Sequence, residues 1–99
     1  MTADIEIILW RDIPAQVIAR EGRDVHRVEL SPRFQQAIDQ AAARAGMVET
    51  DDYLGGWRKE KHSTTHPPET AAPAEVERVE SLFTVELLAR YVANGGRRP

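Results

Sequence analysis

The stretch Ile5-Glu6-Ile7-Ile8-Leu9-Trp10-Arg11-Asp12-Ile13-Pro14 decides how this 99-residue chain is read. Its first six residues are apolar except for Glu6, and three of them are isoleucine. Such a run predicts a strand covered at least partly on both faces, and so central in its sheet. The strand should stop at Asp12-Ile13-Pro14, because Pro14 has no amide hydrogen to donate and restricts Ile13 to extended geometry.

Outward from this block, residues 15–20 read as a second extended run with Val17 and Ile18 as its apolar content. Glu21-Gly22-Arg23-Asp24 has the composition of a hairpin turn, Gly22 being free to take positive φ. Residues 25–30 alternate, with His26, Val28 and Leu30 on one face and Val25, Arg27 and Glu29 on the other. That pattern predicts a third strand with one wet side.

A helix is best signalled over residues 31–46. Ser31 suits its cap, Pro32 its first turn and Gly46 its end. Phe34, Ala37, Ile38, Ala41 and Ala45 recur at helical spacing between them. Thr50-Asp51-Asp52 then places acids at the start of a short helix over residues 51–59, which would carry Tyr53, Leu54 and Trp57 inward. Gly55-Gly56 inside it costs up to about 2 kcal/mol relative to Ala-Ala, unless a close backbone approach is needed there.

From residue 60 to 72 the composition turns polar, rich in Lys, His, Thr and Pro, and reads as a linker. Pro73 then opens a long helical pattern that closes at Asn94-Gly95-Gly96. Val76, Val79, Phe83 and Leu87 form its apolar stripe, widened by Leu82, Val85, Leu88 and Val92. So wide a face must be buried, in its own domain or on a protein partner or second copy. The expected organisation is a compact domain over residues 1–59, a linker over 60–72 and an amphipathic helix over 73–95. The expected fold is α+β in two layers: a three-stranded, mainly antiparallel sheet with the 31–46 helix across one face.

Composition narrows the function. A chain of 99 residues makes one domain. With no cysteine, disulfides and thiolate chemistry are excluded. A net charge of -3 argues against a concentrated nucleic-acid-binding face, and the two arginines of the tail, Arg97 and Arg98, are too few for one. The N-terminus lacks a basic signal-peptide region, and no run approaches the roughly 18–20 apolar residues of a membrane span. A cytoplasmic setting is expected.

Three groups could carry chemistry. His62 and His66 are spaced i, i+4, but Ser63-Thr64-Thr65 and the following prolines argue against the helix a metal pair needs, and no third ligand is evident. No metal or cofactor is expected. His26 has no Ser or Asp at a recognisable spacing, so it reads as a partly buried histidine before a general base. Trp10, Arg11 and Asp12 are the most informative group. A tryptophan beside a guanidinium fork can receive an anion or carboxylate. The favoured reading is plainer: Trp10 fills the core while Arg11 pairs with Asp12 or another surface acid. Nothing here assembles a catalytic set, which favours a non-enzymatic accessory or interaction module, with a small-ligand or anion-binding domain as the alternative.

The block Trp10-Arg11-Asp12-Ile13-Pro14-Ala15-Gln16-Val17, with Ser31-Pro32-Arg33-Phe34-Gln35 and the Ala-rich helix after it, resembles the small bacterial "virulence factor" domain family. The resemblance covers about residues 5–59. It implies a short cytoplasmic protein, or a domain of the kind found attached to helical repeats. It brings no reaction, cofactor or catalytic residue with it.

Overall fold

The computed structural model describes residues 2–47 and 50–99. It is an α+β protein built on a four-stranded antiparallel sheet, one strand more than expected. The strands are β1 (Ala3–Trp10), β2 (Ile13–Glu21), β3 (Asp24–Glu29) and β4 (Trp57–Thr64). Helices α1 (Pro32–Arg44) and α2 (Thr50–Leu54) precede β4, and α3 (Pro68–Leu82) and α4 (Val85–Ala93) follow it. The spatial order is β3-β2-β1-β4, so the apolar run at residues 5–10 lies inside the sheet, as its composition requires.

Pro14 does not separate the first two strands. Trp10 pairs with Ile13 across a loop of only Arg11 and Asp12, and Leu9 pairs with Pro14. The register shifts between Ile8 and Leu9, which leaves Ala15 as the extra residue of a bulge beside the proline. The Ala15 carbonyl is still satisfied, by the Leu30 amide at 3.1 Å. Gly22, at φ 59, makes the turn into β3 as its type suggests.

The two sheet faces differ. Ile5, Ile7 and Leu9 of β1 share a face with Val17 and Ala19 of β2, and all five are buried in the hydrophobic core. On the other face Glu6 and Ile18 lie opposite one another, with Arg27 and Lys61 beyond them on the edge strands. Val25, Arg27, Glu29, Lys59 and Lys61 are exposed on it. The long stems of Arg20, Lys59 and Lys61 take the place of a second layer. Beneath them Glu6 is only 3% exposed, paired to Arg20 at 3.1 Å and lying 3.8 Å from Lys59 and 3.6 Å from Lys61.

The helix that covers the sheet is α3, packed on β2, β3 and β1, whereas α1 lies chiefly against α4 and less extensively against β2. The small side chains Ala37 and Ala41 allow this close helix pair. Ser31 precedes α1, but its side chain does not cap it. Its amide and hydroxyl instead donate to the Glu80 carboxylate of α3, at 2.6 and 2.8 Å. Arg33 adds hydrogen bonds to the Phe83 and Glu80 carbonyls, so the start of α1 is fastened to the end of α3.

The expected linker is structured. Residues 57–64 form β4, and α3 begins at Pro68, with Pro73 inside it. The expected 51–59 helix ends at Leu54, which is 56% exposed, and Trp57 opens β4. The long C-terminal helix is two helices. It breaks at Phe83, and Thr84 caps α4 by accepting a hydrogen bond from the Leu87 amide at 3.1 Å. The stripe proposed for a partner is packed within the chain: Val79 is 3% exposed, and Val76, Phe83 and Leu87 pack against the same core. No described helix is long and apolar enough to cross a membrane.

Candidate functional site

The structure divides the group Trp10, Arg11 and Asp12 between two tasks. Trp10 is fully buried, with its indole N–H donating to the Tyr53 carbonyl at 2.7 Å and its ring stacked on Tyr53. Gly56 and Gly96 lie so close that a Cβ on them would come within 2.4 and 2.8 Å of the indole. That is the close backbone approach that Gly55-Gly56 called for. The indole is a core element with no face open to a ligand.

Arg11 has φ 51, the one positive value outside glycine among the described residues. It occupies the first position of a two-residue hairpin loop, where glycine is the usual choice. Its side chain offsets the strain. Nη1 donates to the Gly95 carbonyl at 2.8 Å, Nη2 meets the Met47 sulfur at 3.0 Å, and the guanidinium lies 5.2 Å from the Trp10 ring centroid. The Arg11 and Asp12 amides donate to the Gly56 and Gly96 carbonyls, so the hairpin tip ties together the segments before β4 and after α4.

Asp12 faces the other way, into a groove of about 590 Å³. Its sheet side is Ile7, Leu9 and Pro14; its helix side is Val79, Leu82, Phe83, Leu87 and Tyr91. The groove exists because β4 extends the sheet beyond the cover of α3. Arg58 and Glu60 stand opposite Leu9 and Ile7 on the same face, and both are exposed. The break at Phe83 turns α4 so that Leu87, Arg90 and Tyr91 present one side to the groove. Gly95 and Gly96, at φ 68 and 90, then turn the tail back to it.

Four arginines line this groove: Arg58, Arg78, Arg90 and Arg98. Arg58 is held by Asp12 at 2.9 Å and by Glu60 at 2.8 Å. The Glu60 hydrogen bond raises the Arg58 pKa; burial opposes this, and Asp12 reinforces it. Arg78 pairs with Glu75. Asp12 also accepts the Arg98 amide at 2.7 Å. Burial works against its ionisation, but the Arg98 amide, the Arg58 hydrogen bond and the charges of Arg58 and Arg97 prevail and hold its carboxyl below the ordinary range. Such an array of guanidinium forks over an apolar floor can receive an acidic head group and shelter its hydrocarbon part.

His26 lies far from this groove, on edge strand β3, with its Nε2 3.1 Å from Asp24. His62, His66 and Glu75 line a separate small cleft, where His62 and Glu75 are 3.7 Å apart. No three His, Asp or Glu side chains among the described residues gather as a metal site. Of the candidate residues read from the sequence, Asp12 lines this groove, whereas Arg58, Glu60, Arg78 and Arg90 were not among them. One signal was available: read as a strand, residues 57–64 place Arg58 and Glu60 on one face.

A small α+β protein with one open sheet face and a cationic groove is the class that fold and site define. Residues 8–92 match the family described as virulence factor, and the chain belongs to it. The match runs through α3 and most of α4, well beyond the residues 5–59 that the resemblance covered. No curated protein and no solved structure matches the chain.

Proposed function

We propose that this protein is a non-enzymatic binding module that holds a small organic acid in the groove between β4, the α3–α4 turn and the tail. The observation that carries the reading is the convergence of Arg58, Arg78, Arg90 and Arg98 on one cavity with an apolar floor. These residues come from β4, α3, α4 and the tail, so the fold itself gathers them. The volume of about 590 Å³ falls within the roughly 300–1,000 Å³ common for small-ligand sites. Asp12 is engaged by Arg58 and the Arg98 amide, which supports recognition over proton transfer. The bacterial cytoplasm is the setting we propose, on the resemblance noted in the sequence.

A thermal-shift and calorimetric screen of carboxylic acids and phosphate esters tests this. Saturable stabilisation of the wild type, weakened by Arg90→Ala and by Arg98→Ala, is the expected result. A panel without any saturable response would refute it.

A second reading, self-association through the α3–α4 turn, draws on Leu82 and Val85, which are 56% and 70% exposed. Sedimentation at increasing concentration checks it. A monomer at all concentrations, or a dimer unaffected by Leu82→Ser with Val85→Ser, removes it.

A further inference from the structure

Tyr91 brings a different kind of polar group to the groove. It stands on α4 beside Arg90, is 8% exposed and belongs to the hydrophobic core. Its ring packs edge-to-face on Phe83 with centroids 5.1 Å apart, and Phe83 packs in the same way on Phe34 at 5.9 Å. A phenol held like this has one polar atom, at the tip of a side chain that is otherwise core. Among the described residues its hydroxyl has no hydrogen-bond partner, and no fully buried side-chain oxygen or nitrogen is left unsatisfied. The hydroxyl therefore reaches the surface, and the surface that Tyr91 lines is the groove.

We infer that Tyr91 is the specificity-determining residue of the groove, and that the organic acid it selects carries a hydroxyl group on its chain. This rests on the groove being a ligand site, as proposed above. The guanidiniums take the acid group of any such ligand, whereas Tyr91 reads the chain. A plain hydrocarbon laid over Leu87 and Tyr91 takes water from the phenol oxygen and returns no hydrogen bond, which costs binding. A ligand hydroxyl replaces that water, because the phenol both donates and accepts. Asp12 and Glu60 line the same space, and a hydroxyl can donate to their carboxylates where a carbonyl oxygen cannot. The packing on Phe83 keeps the ring from swinging away from a mismatched chain, so the penalty stands.

Titration calorimetry of the intact chain near neutral pH, with octanoate and its α-, β- and ω-hydroxy derivatives as probes, is the test. Acid group and chain length are the same throughout, so only the hydroxyl and its position change. One of the hydroxy acids should bind about tenfold more tightly than octanoate. Tyr91→Phe keeps the ring and removes only the oxygen. It should weaken that hydroxy acid by about tenfold and leave octanoate as tight as in the wild type or tighter, so that the gap closes. Octanoate binding as tightly as all three hydroxy acids would overturn the inference while leaving ligand binding in the groove intact. A gap that survives Tyr91→Phe would overturn it as well, and so would loss of octanoate binding in that variant. If none of the four bound at millimolar concentration, both the selectivity and the reading beneath it would fall.

Discussion

A Cβ on Gly56 would lie 2.4 Å from Nε1 of Trp10, so indole and backbone are packed at a distance that only glycine permits. Gly96 does the same on the six-membered ring of the indole, where a Cβ would fall 2.8 Å from Cζ3. Between them they explain two glycine pairs that would otherwise only weaken their segments. The Trp10–Pro14 block is the place where the hairpin, the approach to β4 and the end of α4 are locked together.

Gly56→Ala should therefore destabilise the protein by about 1–3 kcal/mol through overpacking. Gly96→Ala should cost at least as much, because its φ of 90 adds backbone strain to the clash. Gly22→Ala is the control: φ is 59, but no atom lies near its Cβ position, so only the strain of about 1 kcal/mol applies. Urea denaturation of the three variants checks the order. In a Trp10→Phe background the cost of Gly56→Ala should shrink, since the clashing atoms Nε1, Cε2 and Cδ1 belong to the five-membered ring.

Arg11 inverts the usual ranking of alanine over glycine. Arg11→Ala loses the bonds to Gly95 and Met47 and keeps the strain of φ 51. Arg11→Gly loses the same bonds but relieves the strain. The glycine variant should be the more stable of the two by about 1 kcal/mol, measured by the same denaturation. If alanine is equal or better, the strain assigned to this position is wrong.

Acid should unfold the protein through a small set of carboxylates. Burial opposes ionisation of Glu6, but the Arg20 hydrogen bond and the charges of Lys59, Arg20 and Lys61 hold its pKa below the ordinary value. Glu80 is likewise held low, against burial, by the Ser31 amide and hydroxyl and by Arg33. A depressed folded-state pKa contributes stability that is complete above the unfolded-state value and disappears as pH falls through the folded one. Stability should be flat above about pH 5 and decline below about pH 4. Glu6→Gln and Glu80→Gln should each lower stability at neutral pH and flatten that acid limb, which denaturation across pH will show.

Whether the last helices pack in the chain or on a partner can be read from stability. Val79 is 3% exposed and Val85 70%. Val79→Ala should cost about 1–3 kcal/mol in a dilute sample, while Val85→Ser should stay within about 0.5 kcal/mol of the wild type. A neutral Val79→Ala would contradict the internal packing.

The parts of this fold that show in the sequence are those whose apolar residues repeat on one side. Residues 5–10, the alternation of His26, Val28 and Leu30, and the Phe34–Ala41 stripe belong to elements that face the core. Strand β4 hides because it is an edge: no residue in Trp-Arg-Lys-Glu-Lys-His-Ser-Thr is buried, so no period of two is written in hydrophobicity. The lysines that resemble a linker are what keeps such an edge from pairing with other chains. The division between α3 and α4 hides for the opposite reason, since Leu82, Phe83 and Val85 continue an apolar pattern across the break and mask the cap at Thr84. The groove shows least of all. Its arginines stand at positions 58, 78, 90 and 98, and only the pairing of β4 with β1 and the return of the tail to Asp12 bring them together.

The central claim is that this groove is where the protein meets its ligand, and amide chemical-shift mapping with octanoate tests it most directly. The account predicts saturable shifts at Arg58, Leu87, Arg90, Tyr91 and Arg98, lost in Arg90→Ala. Shifts that fail to saturate, or that fall instead on Arg20, Lys59 and Lys61 of the open sheet face, would contradict it.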